Sequence, residues 1–529
     1  MSSLRHRGGD LYPGEAFTPP VAIRPFSLPA FILNFAAGCL MPFAFAPYDQ
    51  QWLAPLALVI WLGLLLRTHA PFRLSFAFGL GWFGFGSWWL AVTFHHYGHL
   101  PWSAAIAFQL LAGVVLAIYP ALWGWLARKL SRQDTLALLI IFPLLAVPEE
   151  WLRGHLFTGL PWTELGILTL NTPWIGWGSV VGGLGLSLIP ALLAATLVTG
   201  AIAWQQRALR APALVMGLLC LLIAVTAPTP DTPTSPPIQV TLVQPNVSQD
   251  AKWDRTRLTT IMQRLVTLSS GIKSGAGKSD LIVWPEAATP FFLSHAPGWR
   301  QWLRKQVEHW HTPLLFGGLR QMEDGTASNG AWLLVPGQQS IPFVGKHHLV
   351  PFGEYVPSWV PWLHKLVPDI GNFQPAHDSG VVTVPRGTTP LKIATLICYE
   401  SIFSDEMRTR ILHGANLIAV LTNDAWYDRT PASWEHLQAS QMRAVESDRF
   451  VLRAANTGVS AIIAPDGTIR TTIPWWQQGV VRGVVHPIST ITPYVHFGDW
   501  PMLLFSLLAI VFLCTRLTVK FRTTEGILP

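Results

Sequence analysis

Three polar residues stand at or just beyond the ends of apolar, strand-like runs of the sequence. Glu286 follows LIVWP, Lys346 follows IPFVG, and Cys398 ends LKIATLI. Folds that alternate strands and helices place their active sites beyond the carboxyl ends of strands. Together, these side chains could carry out acyl transfer: the carboxylate takes the thiol proton, the thiolate attacks a carbonyl carbon, and the ammonium stabilises the resulting oxyanion.

This chemistry requires the pKa values of the thiol and the carboxyl group to approach each other. A free thiol with a pKa near 8.5 is only about 3% ionised at pH 7, and a glutamate with a pKa near 4.3 is about four pH units too acidic to deprotonate it. Burial would raise the carboxyl pKa, and a nearby ammonium would lower the thiol pKa. A cysteine at a strand end is more often a small buried apolar side chain than a nucleophile.

The composition of the chain is unlike that of an ordinary soluble enzyme. Half of its 529 residues are hydrophobic and 12% are charged, whereas soluble globular proteins carry about 25% charged residues. The 26 Trp and 27 Phe residues exclude disorder, because they must be buried in something. Four cysteines are too few for a disulfide scaffold of this length.

Long apolar runs predict about eight membrane spans, because a span takes about 20 apolar residues. They lie near residues 26–47, 50–66, 74–95, 103–127, 134–148, 174–203, 211–228 and 499–515. Three cysteines fall inside them, Cys39, Cys220 and Cys514, so Cys398 has no disulfide partner in its own domain. A single free thiol facing an oxidising compartment is a liability unless it is used.

Basic residues occupy alternate connections between these runs. They are Arg5, Arg7, Arg24, Arg67, Arg73, Arg128, Lys129, Arg132, Arg207, Arg210, Arg516, Lys520 and Arg522, and the opposite short connections hold only Arg153. This bias is typical of cytoplasmic loops and predicts that both termini are cytoplasmic. It also gives much of the net charge of +7 a membrane explanation, so that a nucleic-acid partner has no support.

A polar stretch of about 250 residues separates the seventh run from the eighth and is predicted to lie outside the cytoplasm. Strands are predicted at 238–244, 281–284, 314–319, 331–335, 391–397, 417–422, 450–455, 459–464 and 480–486, alternating with helical patterns. This alternation is typical of an α/β layered fold. The predicted domains are a cytoplasmic extension (1–25), a seven-span domain (26–228), a Pro/Thr linker (229–237), a catalytic domain (238–487), and a final span with a cytoplasmic tail (488–529).

Four motifs in this stretch resemble those of the nitrilase, or carbon–nitrogen hydrolase, superfamily. They are WPEAATP (284–290), GKHHLVPFGEYVP (345–357), ICYESIF (397–403) and NDAWY (423–427). The resemblance implies an α-β-β-α sandwich and a Glu–Lys–Cys triad. The surrounding apolar runs, with EEWLRGHLFTGLPW (149–162) and VQPNVSQDAKWD (243–254), are similar to those of the apolipoprotein N-acyltransferase family of bacterial inner membranes.

The family resemblance implies a role for each matching residue. Glu286 becomes the general base, Cys398 the nucleophile, and Lys346 the group that orients them and holds the oxyanion. Supporting residues of the site are implied to be Glu354, Tyr399, Glu400 and Trp253, the last on an arm over the active site.

The resemblance also implies a reaction on the periplasmic side of the inner membrane. The sn-1 acyl chain of a phospholipid, phosphatidylethanolamine, passes through a Cys thioester to the α-amino group of a diacylglyceryl-cysteine at the N-terminus of an apolipoprotein. No metal, nucleotide or other cofactor is implied.

The segment PSWVPWLHKLVPDIGNF (357–373) combines apolar residues with little charge. Tryptophan favours the headgroup level of a bilayer, so Trp359, Trp362 and Leu363 predict a loop that dips into the outer leaflet and admits lipid. The alternative is a loop packed on its own domain.

Two other functions stay open at this point. A membrane-tethered amidase of the nitrilase type would use the same three residues with water as the final acceptor, and would leave no fatty acyl group on Cys398 after exposure to phospholipid. A transporter with an outer binding domain is disfavoured, because the predicted spans carry almost no ionisable residues and ion pathways usually need them.

Overall fold

The computed structural model describes residues 27–233, 235–270, 278–358, 371–387 and 389–525. Its N-terminal half is helical. The helices are α1 (Leu28–Leu40), α2 (Leu53–Leu65), α3 (Pro71–Gly79), α4 (Trp89–His96), α5 (Trp102–Leu130), α6 (Thr135–His155), α7 (Gly178–Leu186), α8 (Leu188–Ala203) and α9 (Arg210–Val225).

The expectation of eight spans is met only in part. Within the described residues, four helices are long and apolar enough to cross a membrane: Trp102–Leu130, Thr135–Thr158, Arg207–Val225 and Trp500–Thr518. The pair Ile175–Leu186 and Leu188–Ala203, bent by 76°, could form a fifth.

Local breaks in the helices account for this difference. A π-helical stretch, Leu80–Phe85, separates α3 from α4 inside the third predicted span, and Gly182 with φ 71° kinks the sixth inside α7. In contrast, the run predicted to end at residue 148 continues as helix to His155.

Small residues and aromatic rings pack the helical half. The main chains of α1 and α3 approach so closely that a Cβ on Gly38 would lie 2.0 Å from the carbonyl oxygen of Phe78. Such approaches between helices require glycine. Beside this crossing, the Trp61 ring stacks on Phe78 and meets Trp123 edge-on, with centroids 4.4 and 4.9 Å apart.

The second half contains two sheets among the described residues. The first has the strand order β13-β1-β2-β4-β5-β6, with β3 paired to β4, and the second has the order β12-β11-β10-β9-β8-β7. The strands are β1 (Ile238–Gln244), β2 (Leu281–Val283), β3 (Thr289–Phe292), β4 (Leu314–Gln321), β5 (Ala327–Leu334), β6 (Phe343–Gly345), β7 (Val381–Val384), β8 (Leu391–Ile397), β9 (Leu417–Thr422), β10 (Val451–Ala455), β11 (Ser460–Ile463), β12 (Ile469–Ile473) and β13 (Gly479–Val485).

The two sheets pack face to face and helices cover their outer faces. Val240 and Leu242 of β1 share one buried cluster with Ile393 of β8 and Ala419 of β9. The helices of this half are α10 (Gln249–Lys252), α11 (Leu258–Ser270), α12 (Pro297–Trp310), α13 (Ser404–Leu412), α14 (Ala432–Ser447) and α15 (Pro493–Phe497). Because α11 and α12 pack on the first sheet and α13 and α14 on the second, the layers are α-β-β-α, as expected. The chain ends with α16 (Trp500–Glu525).

Buried hydrogen bonds join the helical half to the sandwich. Trp162 Nε1 donates to Glu435 on α14, and the backbone N–H of Gly183 donates to Glu446 on the same helix, at 2.9 Å. The Tyr399 hydroxyl, next to Cys398, donates to the carbonyl of Gly159 at 3.1 Å. The helical half therefore touches the segment that carries the predicted nucleophile.

Candidate active site

Glu286 lies just past the end of β2 and its side chain is buried, with 6% exposure. The turn is tight, since the next residue, Ala287, has φ 44°. The neighbouring strand β4 passes so close that a Cβ on Gly317 would lie 2.5 Å from the Glu286 Cα. A side chain at position 317 would therefore clash with the backbone of the turn that carries Glu286.

A hydrogen-bonded chain connects Glu286 to Lys346. The Asn329 side-chain amide, on β5, donates to Glu286 Oε1 at 2.8 Å and to Glu354 Oε1 at 3.3 Å. Lys346 Nζ, 1% exposed, donates to both oxygens of Glu354, at 2.9 and 2.8 Å. Among the residues that the structure describes, the second oxygen of Glu286 is buried and has no hydrogen-bond partner, so this oxygen can accept a proton.

Cys398 follows β8 directly and begins the 3₁₀ turn Cys398–Ile402. Its φ of 52° lies in the left-handed region, which is uncommon for residues other than glycine. The thiol is 6% exposed and interacts electrostatically with Glu286 and Lys346. The structure thus brings the three predicted residues together at one edge of the sandwich.

The charges of the site set the protonation states of these groups. Burial raises the pKa of Cys398 above the ordinary thiol value, Glu286 raises it further, and Lys346 opposes them only in part. Burial also raises the pKa of Glu286. Burial lowers the pKa of Lys346, but Glu354 and Glu286 more than offset this. The expected depression of the thiol pKa by the ammonium is therefore outweighed by burial, and the carboxylate becomes a stronger base.

Glu400, predicted to support the site, forms hydrogen bonds that link two segments of the site. Its two oxygens accept from the backbone N–H groups of Ile397 and His347, at 2.7 Å each, and from Arg410 at 2.8 Å. Its carboxylate therefore pins the Lys346 loop to the turn that carries Cys398. Tyr399 is likewise buried, with its hydroxyl turned toward the helical half.

Replacing Glu400 with Gln is expected to destabilise the half that contains the sandwich. The amide would turn an N–H toward a backbone donor, and Arg410 would lose one of two carboxylate partners. Removing one member of a buried ion pair costs about 3 kcal/mol. Urea unfolding followed by tryptophan fluorescence measures the loss, with exposed Glu323→Gln as the matched control. An unchanged midpoint for Glu400→Gln would contradict this role.

Trp253 is half exposed, at 48%, and among the described residues no hydrogen bond or ring contact joins it to the three reactive residues. The preceding Lys252 instead reaches the site: its side chain is 4% exposed and its Nζ donates to the backbone carbonyl of Glu286 at 3.0 Å. Sequence reasoning missed Lys252, although it lies in the quoted DAKWD run.

Other residues of the site had weak sequence signals. Asn329 lies in ASNGAWLL and Asp424 in NDAWY. Neither motif indicates which charged side chains Asn329 and Asp424 contact. His436 Nε2 lies 3.0 Å from the carbonyl oxygen of Cys398, and its Nδ1 lies 3.1 Å from Asp424. Arg453 holds the other oxygen of Asp424 at 2.7 Å. This buried group fixes the backbone of the nucleophile.

In the part of the chain that the structure describes, two groups of side chains place possible metal ligands within 4.8 Å of one another: Cys398, Asp424 and His436, and His347, Glu400 and Glu406. Each group already has a guanidinium counter-charge. Arg453 pairs with Asp424, and Arg410 bridges Glu400 and Glu406. A cation at either position would compete with an arginine. The predicted lipid-facing residues Trp359, Trp362 and Leu363 lie outside the described residues.

Comparison with known sequences agrees with this architecture. Residues 239–487 match the family model described as carbon–nitrogen hydrolase, so the half that contains the α-β-β-α sandwich is a domain of that class. Residues 37–196 match the N-terminal domain of apolipoprotein N-acyltransferase. The chain is 34% identical over 508 residues to an apolipoprotein N-acyltransferase of Ralstonia nicotianae, covering 92% of this chain and 93% of that protein. It therefore belongs to the apolipoprotein N-acyltransferase family.

Further similarities cover the same regions. An apolipoprotein N-acyltransferase of Photobacterium profundum is 30% identical over 518 residues, covering 95% of this chain and 98% of that protein. Among solved structures, Nit3 of Saccharomyces cerevisiae, a nitrilase superfamily member, is 16% identical with a TM-score of 0.37, covering 49% of this chain and 93% of that chain.

Proposed function

We propose that the protein is a membrane-embedded N-acyltransferase that acylates the α-amino group of the N-terminal diacylglyceryl-cysteine of apolipoproteins, with a phospholipid as acyl donor. The observation that carries this proposal is the connected Glu286–Asn329–Glu354–Lys346 network beside Cys398, in which all but the half-buried Glu354 are buried, in a chain of this family. Phosphatidylethanolamine is the proposed donor, through its sn-1 chain.

In the first step, Glu286 takes the proton of Cys398 and the sulfur attacks the ester carbonyl carbon of the phospholipid. The Lys346 ammonium stabilises the oxyanion that forms, because its positive charge is held in place by Glu354. The C–O bond breaks, and the departing glycerol oxygen takes the proton from Glu286. The products are a lysophospholipid and a thioester on Cys398.

In the second step, the α-amino nitrogen attacks the thioester carbonyl carbon. An amide forms as the C–S bond breaks, and the thiolate recovers a proton through Glu286. The amine must arrive unprotonated or lose a proton in the site, because an ammonium has no lone pair; its ordinary pKa is about 7.7–8.0.

We also propose the membrane placement: eight spans in the bacterial inner membrane, and the catalytic half (238–487) on the periplasmic side after the linker 229–237. The N-terminal extension (1–25) and the tail that follows the final span within 488–529 lie in the cytoplasm. Exposed apolar side chains support lipid contact, since large exposed apolar patches are rare on soluble proteins. They include Leu110, Leu111 and Val115 of α5, Leu218, Leu221 and Leu222 of α9, and Leu507, Leu508 and Val511 of α16.

Aromatic packing at the junction supports access of an acyl chain to Cys398. Trp89 of α4 and Trp162 lie with Tyr427 and Tyr399 in one buried cluster, and Tyr427 interacts electrostatically with Cys398. A thiol next to aromatic rings at a membrane surface can react with a lipid that stays in the bilayer. Extraction of an acyl chain into water would cost about 0.8 kcal/mol per methylene group. We retain the sequence-based proposal that Trp359, Trp362 and Leu363 contact the outer leaflet.

The decisive test is exposure of the purified protein to phosphatidylethanolamine vesicles, followed by intact-mass measurement. We expect one fatty acyl adduct, which hydroxylamine removes and which a diacylglyceryl-cysteine peptide consumes as the N-acylated product appears. A protein that hydrolyses a small amide but takes no acyl group from phospholipid would be an amidase of the nitrilase type, and the proposal would be wrong.

A further inference from the structure

Two buried lysines act on the same pair of reactive groups. Lys252, at the end of α10, interacts electrostatically with the carboxylate of Glu286 and the thiol of Cys398, and Lys346 does the same. Lys252 approaches Glu286 and Cys398 from the side of the first sheet. Its Nζ donates a hydrogen bond to the backbone carbonyl of Glu286. Neither step of the proposed reaction uses the Lys252 side chain.

The bonding of the two lysines differs. Lys346 is locked by both oxygens of Glu354. Lys252 forms no ion pair with any carboxylate in the described part of the chain, and a carbonyl oxygen is its acceptor, although an ammonium has three N–H donors. A buried ammonium without a carboxylate partner loses its proton readily. Burial lowers the pKa of Lys252 to about 8, against the opposing effect of Glu286 and Cys398.

The transfer step needs a second proton acceptor. The nitrogen of the substrate starts as an ammonium and ends in an amide, so it gives up two protons, while the departing thiolate takes back one. A single carboxylate can carry only the proton that returns to sulfur.

We propose that Lys252 is the acid–base group that takes the first proton of the incoming ammonium, whereas Glu286 shuttles the second to the sulfur. This inference rests on the acyl transfer proposed above. The neutral Lys252 amine accepts a proton from the substrate nitrogen, whose lone pair then forms the C–N bond. The C–S bond breaks, the second nitrogen proton passes through Glu286 to the Cys398 thiolate, and Lys252 releases its proton to water.

The charged groups around Lys252 are consistent with this cycle. Glu286 faces it from the turn after β2 and Cys398 from the turn after β8. On its own helix, Asp250 is exposed and Gln249 accepts a hydrogen bond from Asn423 at 2.8 Å. Once Glu286 has passed its proton to sulfur, its negative charge favours the protonated form of Lys252, which limits back-transfer to the product.

The test separates the two half-reactions in Lys252→Met and Lys252→Arg, with exposed Lys305→Met on α12 as the matched control. Arginine keeps the positive charge but cannot give up its proton. We expect Lys252→Arg to form the acyl-enzyme from phosphatidylethanolamine at a rate of the same order as the wild type. Transfer to the diacylglyceryl peptide should fall about 10²-fold in both Lys252 variants. Cleavage of their thioesters by hydroxylamine, which arrives unprotonated, should remain normal.

Each other outcome overturns the assignment. If Lys252→Arg transfers the acyl group at the wild-type rate, the positive charge alone matters. If Lys252→Met does so, the residue is dispensable. Loss of acyl-enzyme formation in both variants would place Lys252 in the first step. If the wild-type protein itself forms no acyl-enzyme, the proposed function fails instead, so the two failures are distinguishable.

Discussion

Cys398→Ala is expected to form no acyl-enzyme and to lose N-acylation by more than about 10⁴-fold, since removing a covalent nucleophile removes the whole reaction path. The substitution deletes one sulfur atom from a buried turn, so the protein should still fold. Cys398→Ser should be nearly as inactive, because a hydroxyl is far less ionised than a thiol. Intact-mass measurement after incubation with phosphatidylethanolamine gives the answer directly.

Cys220→Ala is the matched control, since Cys220 is also buried but lies on α9 in the helical half. It should acquire the acyl adduct at the wild-type rate. An adduct that persists in Cys398→Ala and vanishes in a different cysteine variant would transfer the nucleophile's role to that cysteine.

Glu286→Gln is expected to slow acyl-enzyme formation by about 10²–10⁴-fold, the usual effect of losing a general base. The amide oxygen can still accept the hydrogen bond from Asn329, but the carboxylate proposed to take the thiol proton is gone. In the wild type, burial raises the pKa of Glu286 and the carboxylate is the active form. Activity should therefore be lost as the pH falls through that raised pKa, above the ordinary range of a glutamate.

A second readout separates the loss of the base from damage to the site. Glu286 raises the pKa of Cys398, so its neutralisation should lower the thiol pKa and let iodoacetamide label Cys398 at a lower pH. Transfer and labelling are thus expected to change in opposite directions. Parallel losses of both would indicate a collapsed site, and unchanged transfer would contradict the base role. Exposed Glu323→Gln should alter neither.

Local patterns in the sequence account for most of the α-β-β-α sandwich. The strands predicted at 238–244, 391–397 and 417–422 have those bounds in the structure, because β-branched residues and leucines dominate these runs and all but Gln239 and Lys392 are buried. Glu286 and Cys398 stand just after such apolar runs, so their positions beyond strand ends were predictable from the same patterns. Their catalytic roles, and that of Lys346, stay predictions until the variants are measured.

Long-range contacts account for what the sequence did not predict. Asn329 meets Glu286 across two strands and 43 residues of chain, and His436 meets Cys398 across 38 residues; no local period signals either contact. The eight predicted spans of the chain are met only in part, because hydropathy reports apolar composition and is insensitive to a π-helical break or a bend. Lys252 was missed because lysine side chains are rarely buried, and nothing in the local sequence marks this one as an exception.

The hydrogen bonds between the two halves bear on how such a protein can change over generations. Trp162 and Gly183 on one side hold Glu435 and Glu446 on the other, and both carboxylates are buried. A gene fusion that exchanged either half for that of a distant relative would leave those acids facing foreign neighbours. We therefore expect the two halves to be inherited together. A substitution on one side of the junction should require a compensating substitution on the other side.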